Sequence, residues 1–309
     1  MAGVITHLIA GSSLLTKQKM VSEEYYGCFL LGSCFPDAGY FPGENSLISD
    51  LAHYLMAARI PYYLYQNTDS ECWKAFASGW LFHLQTDLAL HPLVNKFAAQ
   101  YHFGVDDKNQ IYTFEQNPQI HALIENELDS KLLDVSAIKH LNLASPVLSR
   151  ENPVALALED IYSLKFDSKY LDKLLIKLPE KLKLFYGSLN WLKKMKLLKH
   201  FSLGILSLLR KFISEPKYIL IKNFFKPEQI NDEKFLVYKQ AIAELIEKVS
   251  QHDSPQWFTS DYNFDTGSIS EFGEYGLADH LFAEIDSNKN NNTLWKNFRE
   301  QFIHKKGNQ

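Results

Sequence analysis

The segment Gly79 to Pro92, GWLFHLQTDLALHP, constrains this chain more than any other. Within an amphipathic helical pattern it sets His83, Asp87 and His91 four residues apart. Four residues of α-helix turn by about 400°, a net drift of roughly 40° per step, so the three side chains project into one narrow sector. His83 and His91 are also about 12 Å apart along the axis, too far to share an ion. Asp87 lies between them with two carboxylate oxygens. The spacing therefore predicts a helix that serves two or more metal ions, with Asp87 as the bridge.

The rest of the chain reads as helical. Leu, Ala, Lys and Glu recur at helical spacing with little strict alternation, which predicts an all-α protein. At 309 residues and 46% hydrophobic composition the chain can bury a sizeable core. Helices are expected at 46–65, 70–102, 117–140, 155–163, 169–186, 188–213 and 232–251, with a last short one at 294–303. Pro36, Pro42 and Gly43 mark a loop around Asp37. Pro216 and Pro227 interrupt the later helical patterns, 253–276 reads as an ordered loop, and 287–293 reads as a turn. Cys28, Cys34 and Cys72 are odd in number and lack CxxC spacing, so free reduced thiols are expected. The N-terminus has no basic region before its apolar run, and no apolar stretch approaches the roughly 20 residues that span a bilayer. The expected location is the cytoplasm, with a peripheral membrane position or export without a cleaved leader as alternatives.

Charge divides the chain. Residues 163–226 hold 15 Lys and Arg against 4 Asp and Glu, leaving the remainder with 17 against 32. The expected organisation is a helical core over 1–160, which carries the His/Asp cluster, and a helical C-terminal region over 161–309. Its basic part, 163–226, is a candidate membrane-facing cap.

Further metal-ligand types surround the central helix. His121 and Glu125 form another i, i+4 pair able to hold one ion from one helix face. His7, Asp37 and His53 come from the N-terminal third. Unpartnered imidazoles and carboxylates in apolar runs would be costly, and a shared metal removes that cost. Nitrogen and oxygen donors without an ordered set of thiolates suit catalytic zinc. His102, His140, His200, His252, His280 and His304 are expected to be ordinary packed or capping residues.

The order of these elements carries a resemblance. His7, then Gly-x-x-x-Pro-Asp ending at Asp37, His53, the Gly79–Pro92 phrase and His121-x-x-x-Glu125 resemble the zinc-dependent phospholipase C family, which is related to the S1/P1 nucleases. The match covers residues 1 to 130. The resemblance implies a phospholipase C/P1 nuclease-like helical fold, here with a helical C-terminal extension, and two or three Zn2+ ions that hydrolyse phosphate esters. It also implies that Asp37, His53, His83 and Asp87 hold one zinc, that Asp87 bridges to a second near His7, and that His91, His121 and Glu125 hold the third. Asp37 is then both ligand and the catalytic residue that orients or deprotonates the attacking water. Secreted members begin with a processed Trp that completes the early-His site. This chain begins Met1-Ala2, and removal of Met1 would offer the Ala2 amine instead.

Three functions remain open from sequence. The first is a phospholipase C that cleaves glycerophospholipids to diacylglycerol and a phosphorylated headgroup, docking peripherally on a phospholipid surface. The lysine-rich, leucine-rich stretch 191–212 supports it. Tyr25, Tyr26, Tyr40 and Phe41 offer a headgroup pocket, although such residues are more often simply core. The second is a single-strand nuclease or phosphomonoesterase using the same metals, with nucleic acid as partner. The third is a non-catalytic lipid-binding protein with a structural metal site.

Overall fold

A computed structural model describes residues 3–19, 22–41, 43–54, 57–104, 118–133, 143–144, 146, 152–162, 164–196 and 230–252, with only the backbone for 185–196. Among these, every regular element is a helix: α1 (Val4–Lys17), α2 (Glu23–Gly32), a 3-10 segment (Phe35–Tyr40), α3 (Ser46–Tyr54) and α4 (Arg59–Gln66), then α5 (Glu71–Phe103), α6 (Pro118–Leu132), α7 (Pro153–Tyr162), α8 (Ser168–Lys196) and α9 (Asp232–Val249). The all-α expectation holds.

Helix α5 is the axis of the fold. Ser70 caps its start by accepting from the Trp73 N–H at 3.4 Å, and Gly104 ends it at φ 68°, a left-handed conformation that glycine adopts without penalty. Every residue from Ala75 to Asp87 is buried. The amphipathic pattern expected here is thus corrected. A helix covered on all sides buries its polar face too, and α1, α2, α4, α6 and α9 all pack against α5.

The closest of these contacts depends on two glycines. At the crossing of α2 and α5, a Cβ on Gly32 would collide with the Phe76 carbonyl oxygen, and one on Gly79 with that of Phe29. The backbones touch because neither residue carries a side chain.

The sequence pattern did not announce α1 or α2. Helix α1 has Gly3 at its N-cap, with no side-chain cap of its own. Helix α2 is capped by Ser22, which accepts from the Tyr25 N–H at 3.3 Å, and carries Glu23 and Glu24 in its first turn. The helix expected over 46–65 is divided into α3 and α4. Ala57 and Ala58 form a turn before α4; Pro61, with no N–H and a ring that crowds the carbonyl four residues back, disfavours a helix running through this point and is accepted in the first turn of α4. Conversely, 169–186 and the start of 188–213 are one helix, α8, which runs through Pro179. The expected elements at 253–276, 287–293 and 294–303, and the interruptions at Pro216 and Pro227, lie outside the described residues.

The cysteine expectation is also corrected. Cys28 and Cys72 form a disulfide that joins α2 to the start of α5, with Cα atoms 5.5 Å apart. Only Cys34 stays free; it is buried, and burial pushes its thiol well above the ordinary range. The bridge closes a long loop and contributes about 2–4 kcal/mol. Such bonds persist where the compartment is oxidising.

Side chains beyond residue 162 enter the same core. Leu171, Leu174, Leu175, Leu178 and Leu182 of α8 and Tyr238, Ile242 and Leu245 of α9 are all buried in it. No described helix is long and apolar enough to cross a membrane.

Candidate metal centre

Asp87 is fully buried near the middle of α5, and four imidazoles surround its carboxylate. Its Oδ1 lies 3.3 Å from His7 Nε2 and 3.5 Å from His91 Nε2. Its Oδ2 lies 3.3 Å from His83 Nε2 and 3.4 Å from His53 Nε2. The two oxygens therefore face two different sets of ligand atoms, as the helical spacing predicted for a bridging carboxylate.

Each partner arrives on its own element. Helix α1 carries His7, whose ring stacks on His83 with centroids 3.8 Å apart. The 3-10 segment carries Asp37, with Oδ1 3.4 Å from His53 Nε2 and 4.0 Å from His83 Nε2. Helix α3 carries His53. On α6, His121 Nε2 approaches Glu125 Oε1 at 2.9 Å, and the His121 ring lies 5.2 Å from that of His91. Donor atoms converge in three groups, each within 4.8 Å: His7 with His83 and Asp87; Asp37 with His53 and His83; His91 with His121 and Glu125. All eight residues expected from sequence are brought together.

Backbone carbonyls fix which ring nitrogen points inward. His83 Nδ1 donates to the Ser33 carbonyl at 2.9 Å, and His53 Nδ1 donates to the Ser49 carbonyl at 2.6 Å. A carbonyl only accepts, so both Nδ1 atoms carry a proton and both Nε2 atoms face the interior, where they can ligate once any proton on them is displaced. This is the arrangement seen in metal-ligating histidines. Those two Nε2 atoms are 2.8 Å apart, a separation that needs a proton or a cation between them. Neither ring nitrogen of His7 nor either oxygen of Asp37 has a hydrogen bond, although all four atoms are buried. Leaving such groups unsatisfied costs several kcal/mol each, about 1–3 or more, which zinc coordination would offset. The donor set fits zinc.

The electrostatics divide the cluster. Burial by itself would raise the Asp37 carboxyl, but the His83 and His53 imidazoles outweigh it and hold it below the ordinary range. Asp87 is held far lower, because His83, His91 and His7 all oppose the effect of burial. Burial and the nearby His7 push His83 down to about 4, so it stays neutral and able to ligate. His53 moves the other way, to about 9, because its contacts with Asp37 and Asp87 overcome burial.

A family model described as zinc dependent phospholipase C matches residues 4–162. The chain belongs to the zinc-dependent phospholipase C family. Neither a search of curated proteins nor one of solved structures returned a match. The matched region runs from α1 through α7 and contains all eight clustered residues.

Of the histidines expected to be packed or capping, the two that are described, His102 in the last turn of α5 and His252 just past α9, are exposed and lie outside the three donor groups. Of the four aromatic residues considered for a pocket, Tyr40 is placed beside the cluster. Its ring centroid is 5.9 Å from that of His53, and its hydroxyl donates to Asp50 at 2.8 Å. Tyr26 instead bonds Ser12 at 2.7 Å, tying α2 to α1. Sequence reasoning missed the carbonyls of Ser33 and Ser49, since backbone acceptors leave no residue-type signal. It also missed Asp129, considered below. Met1, Ala2 and the stretch 197–212 lie outside the described residues.

Proposed function

We propose that this protein is a phospholipase C that cleaves the glycerol–phosphate ester of a glycerophospholipid, releasing diacylglycerol and a phosphorylated headgroup. The observation that carries the reading is the Asp87 carboxylate, with one oxygen facing His7 and His91 and the other facing His53 and His83. Asp37, His53, His83 and Asp87 would hold one zinc, His7 and Asp87 a second, and His91, His121 and Glu125 a third. Zinc supplies Lewis acidity toward phosphoryl oxygens and acidity to water. The chain's own contribution is positional. Asp37 is nearly buried and ionised at neutral pH, so its carboxylate is fitted to orient the attacking water or accept its proton.

The test offers purified zinc protein phosphatidylcholine liposomes and single-stranded DNA in parallel, each with and without chelator. Chelator-sensitive release of diacylglycerol is expected. Nucleotide release alone would replace the reading with a nuclease, and activity that survives the chelator would end it.

Docking on an anionic bilayer completes the proposal. Helix α8 exposes Lys169, Lys173, Lys177 and Lys183 around Ile176 and Leu184, which are 55% and 72% exposed. Lysines flanking apolar side chains on one helix face suit an interface rich in acidic lipid. The same helix is fastened beside the cluster. Tyr170 donates to Glu44 at 2.9 Å and accepts from the Asn45 N–H at 2.9 Å, while Lys181 pairs with Glu44. Glu44 and Asn45 link the segment bearing Asp37 to the helix bearing His53. Each lysine near such a surface contributes about 1 kcal/mol, so Lys173→Glu with Lys177→Glu is expected to weaken sedimentation with phosphatidylglycerol vesicles by roughly 30-fold. Unchanged sedimentation would remove α8 from the docking surface.

A further inference from the structure

Helix α1 has no cap in its own sequence, and its start is held from 120 residues away. Asp129 of α6 is 2% exposed and spends its whole carboxylate there. Oδ2 accepts from the Ile5 N–H at 3.0 Å, while Oδ1 accepts from the Thr6 N–H at 3.0 Å and from the Thr6 hydroxyl at 2.7 Å. The Thr6 oxygen in turn accepts from the Tyr238 hydroxyl of α9 at 3.1 Å. Thr6 has a single hydroxyl proton, given to Asp129, so the donors run one way: Tyr238 to Thr6 to Asp129. All three side chains are buried.

Two further features show that the place is built for this carboxylate. Gly3 packs so closely on it that any Cβ would strike the Asp129 carboxylate. The first N–H groups of a helix have no partner in the helix itself, so a carboxyl group that accepts from them fixes the position and direction of the axis. It does so although burial raises Asp129 to about 7, against the lowering effect of these same hydrogen bonds. The next residue along α1 is His7, whose Nε2 must stay within reach of Asp87 Oδ1. Helix α6 also carries His121 and Glu125, about two turns and one turn before Asp129.

We infer that Asp129 is a positioning residue for His7, locking α1 to the helix that carries the His121–Glu125 pair, and that Tyr238 extends this lock to α9. The inference rests on the reading of His7 as a ligand. It gives a role to a residue of α9, outside the region the family model matches: Tyr238 closes the hydrogen-bond chain behind the metal cluster.

The test follows the histidine ring nitrogens by NMR in zinc-loaded protein, together with zinc content and the kcat and KM of lipid hydrolysis. Asp129→Asn keeps the side chain's volume but turns one acceptor into an NH2 donor facing N–H donors. The expected result is loss of the ligated signature at His7 alone, with that of His121 retained, one zinc fewer, and kcat down roughly 10- to 100-fold at similar KM, the usual range for residues that orient ligands. Tyr238→Phe removes one hydroxyl, is expected to fold, and should shift the His7 signal in the same direction by less. Wild-type His7 signals in the folded variants would overturn the inference, as would parallel loss of all zinc signatures. If Asp129→Asn does not fold, an unchanged His7 in Tyr238→Phe overturns it and a shifted one supports it. An unligated His7 in the unmodified protein is a distinct result, which overturns the ligand reading and this inference with it.

Discussion

Asp87→Ala is expected to remove zinc and activity together. The side chain is the one carboxylate placed among four imidazoles, with contacts of 3.3 Å to His7, 3.4 Å to His53, 3.3 Å to His83 and 3.5 Å to His91. Without it, those rings lose the buried negative charge that compensates divalent cations, and the two sides of the cluster lose their shared ligand. Loss of several kcal/mol of transition-state charge stabilisation corresponds to a rate reduction of roughly 10³-fold or more. Zinc content by mass spectrometry and diacylglycerol release measure the two effects, and far-UV circular dichroism checks that the helices persist. Asp37→Asn is the informative contrast. Among the described residues Asp37 is paired with two imidazoles, His53 at 3.4 Å and His83 at 4.0 Å, against four for Asp87, so much of the metal should remain while turnover collapses. An Asp87→Ala protein with full zinc and full activity would refute the bridging role.

The second large effect is expected far from the chemistry, at Gly79→Ala. Alanine in a helix interior gains about 1 kcal/mol over glycine. Here the added Cβ meets the Phe29 carbonyl, a backbone atom that cannot rotate away. Overpacking of this kind costs about 1–3 kcal/mol and sometimes more, so the collision wins. A Cβ driven this far into a backbone oxygen places the cost at the top of that range, and the resulting net loss of about 2 kcal/mol would lower Tm by roughly 4–8 °C. Zinc affinity should fall as well, because displacing α2 shifts the Ser33 carbonyl that orients His83. Gly11→Ala is the control: its Cβ would meet the end of the flexible Leu30 side chain at 3.1 Å. Equal stability of the two variants in thermal denaturation would show that the α2–α5 crossing is not constrained by glycine.

What was legible in the sequence was local. The spacing of His83, Asp87 and His91, and of His121 and Glu125, needs only helix geometry to interpret, and α5 and α6 display those residues as expected. The break between α3 and α4 had one local signal, Pro61, but a proline alone does not decide it, since α5 runs through Pro92 and α8 through Pro179. Helix α2 was hidden because its apolar residues are packed all round, which erases the periodicity that marks a surface helix.

The sequence by itself determined the ligand types, their order and the helical phase of His83, Asp87 and His91, because these depend on residues a few positions apart. Only the tertiary structure decided the rest. It set Cys28 against Cys72, gave α1 its cap from Asp129, and aimed the Nε2 atoms of His53 and His83 inward through backbone carbonyls. It also let α2 and α5 touch at Gly32 and Gly79. Most of these join residues distant in the chain, through backbone atoms or through side chains with no local signature. Their partners are fixed only once burial has folded the helices around α5.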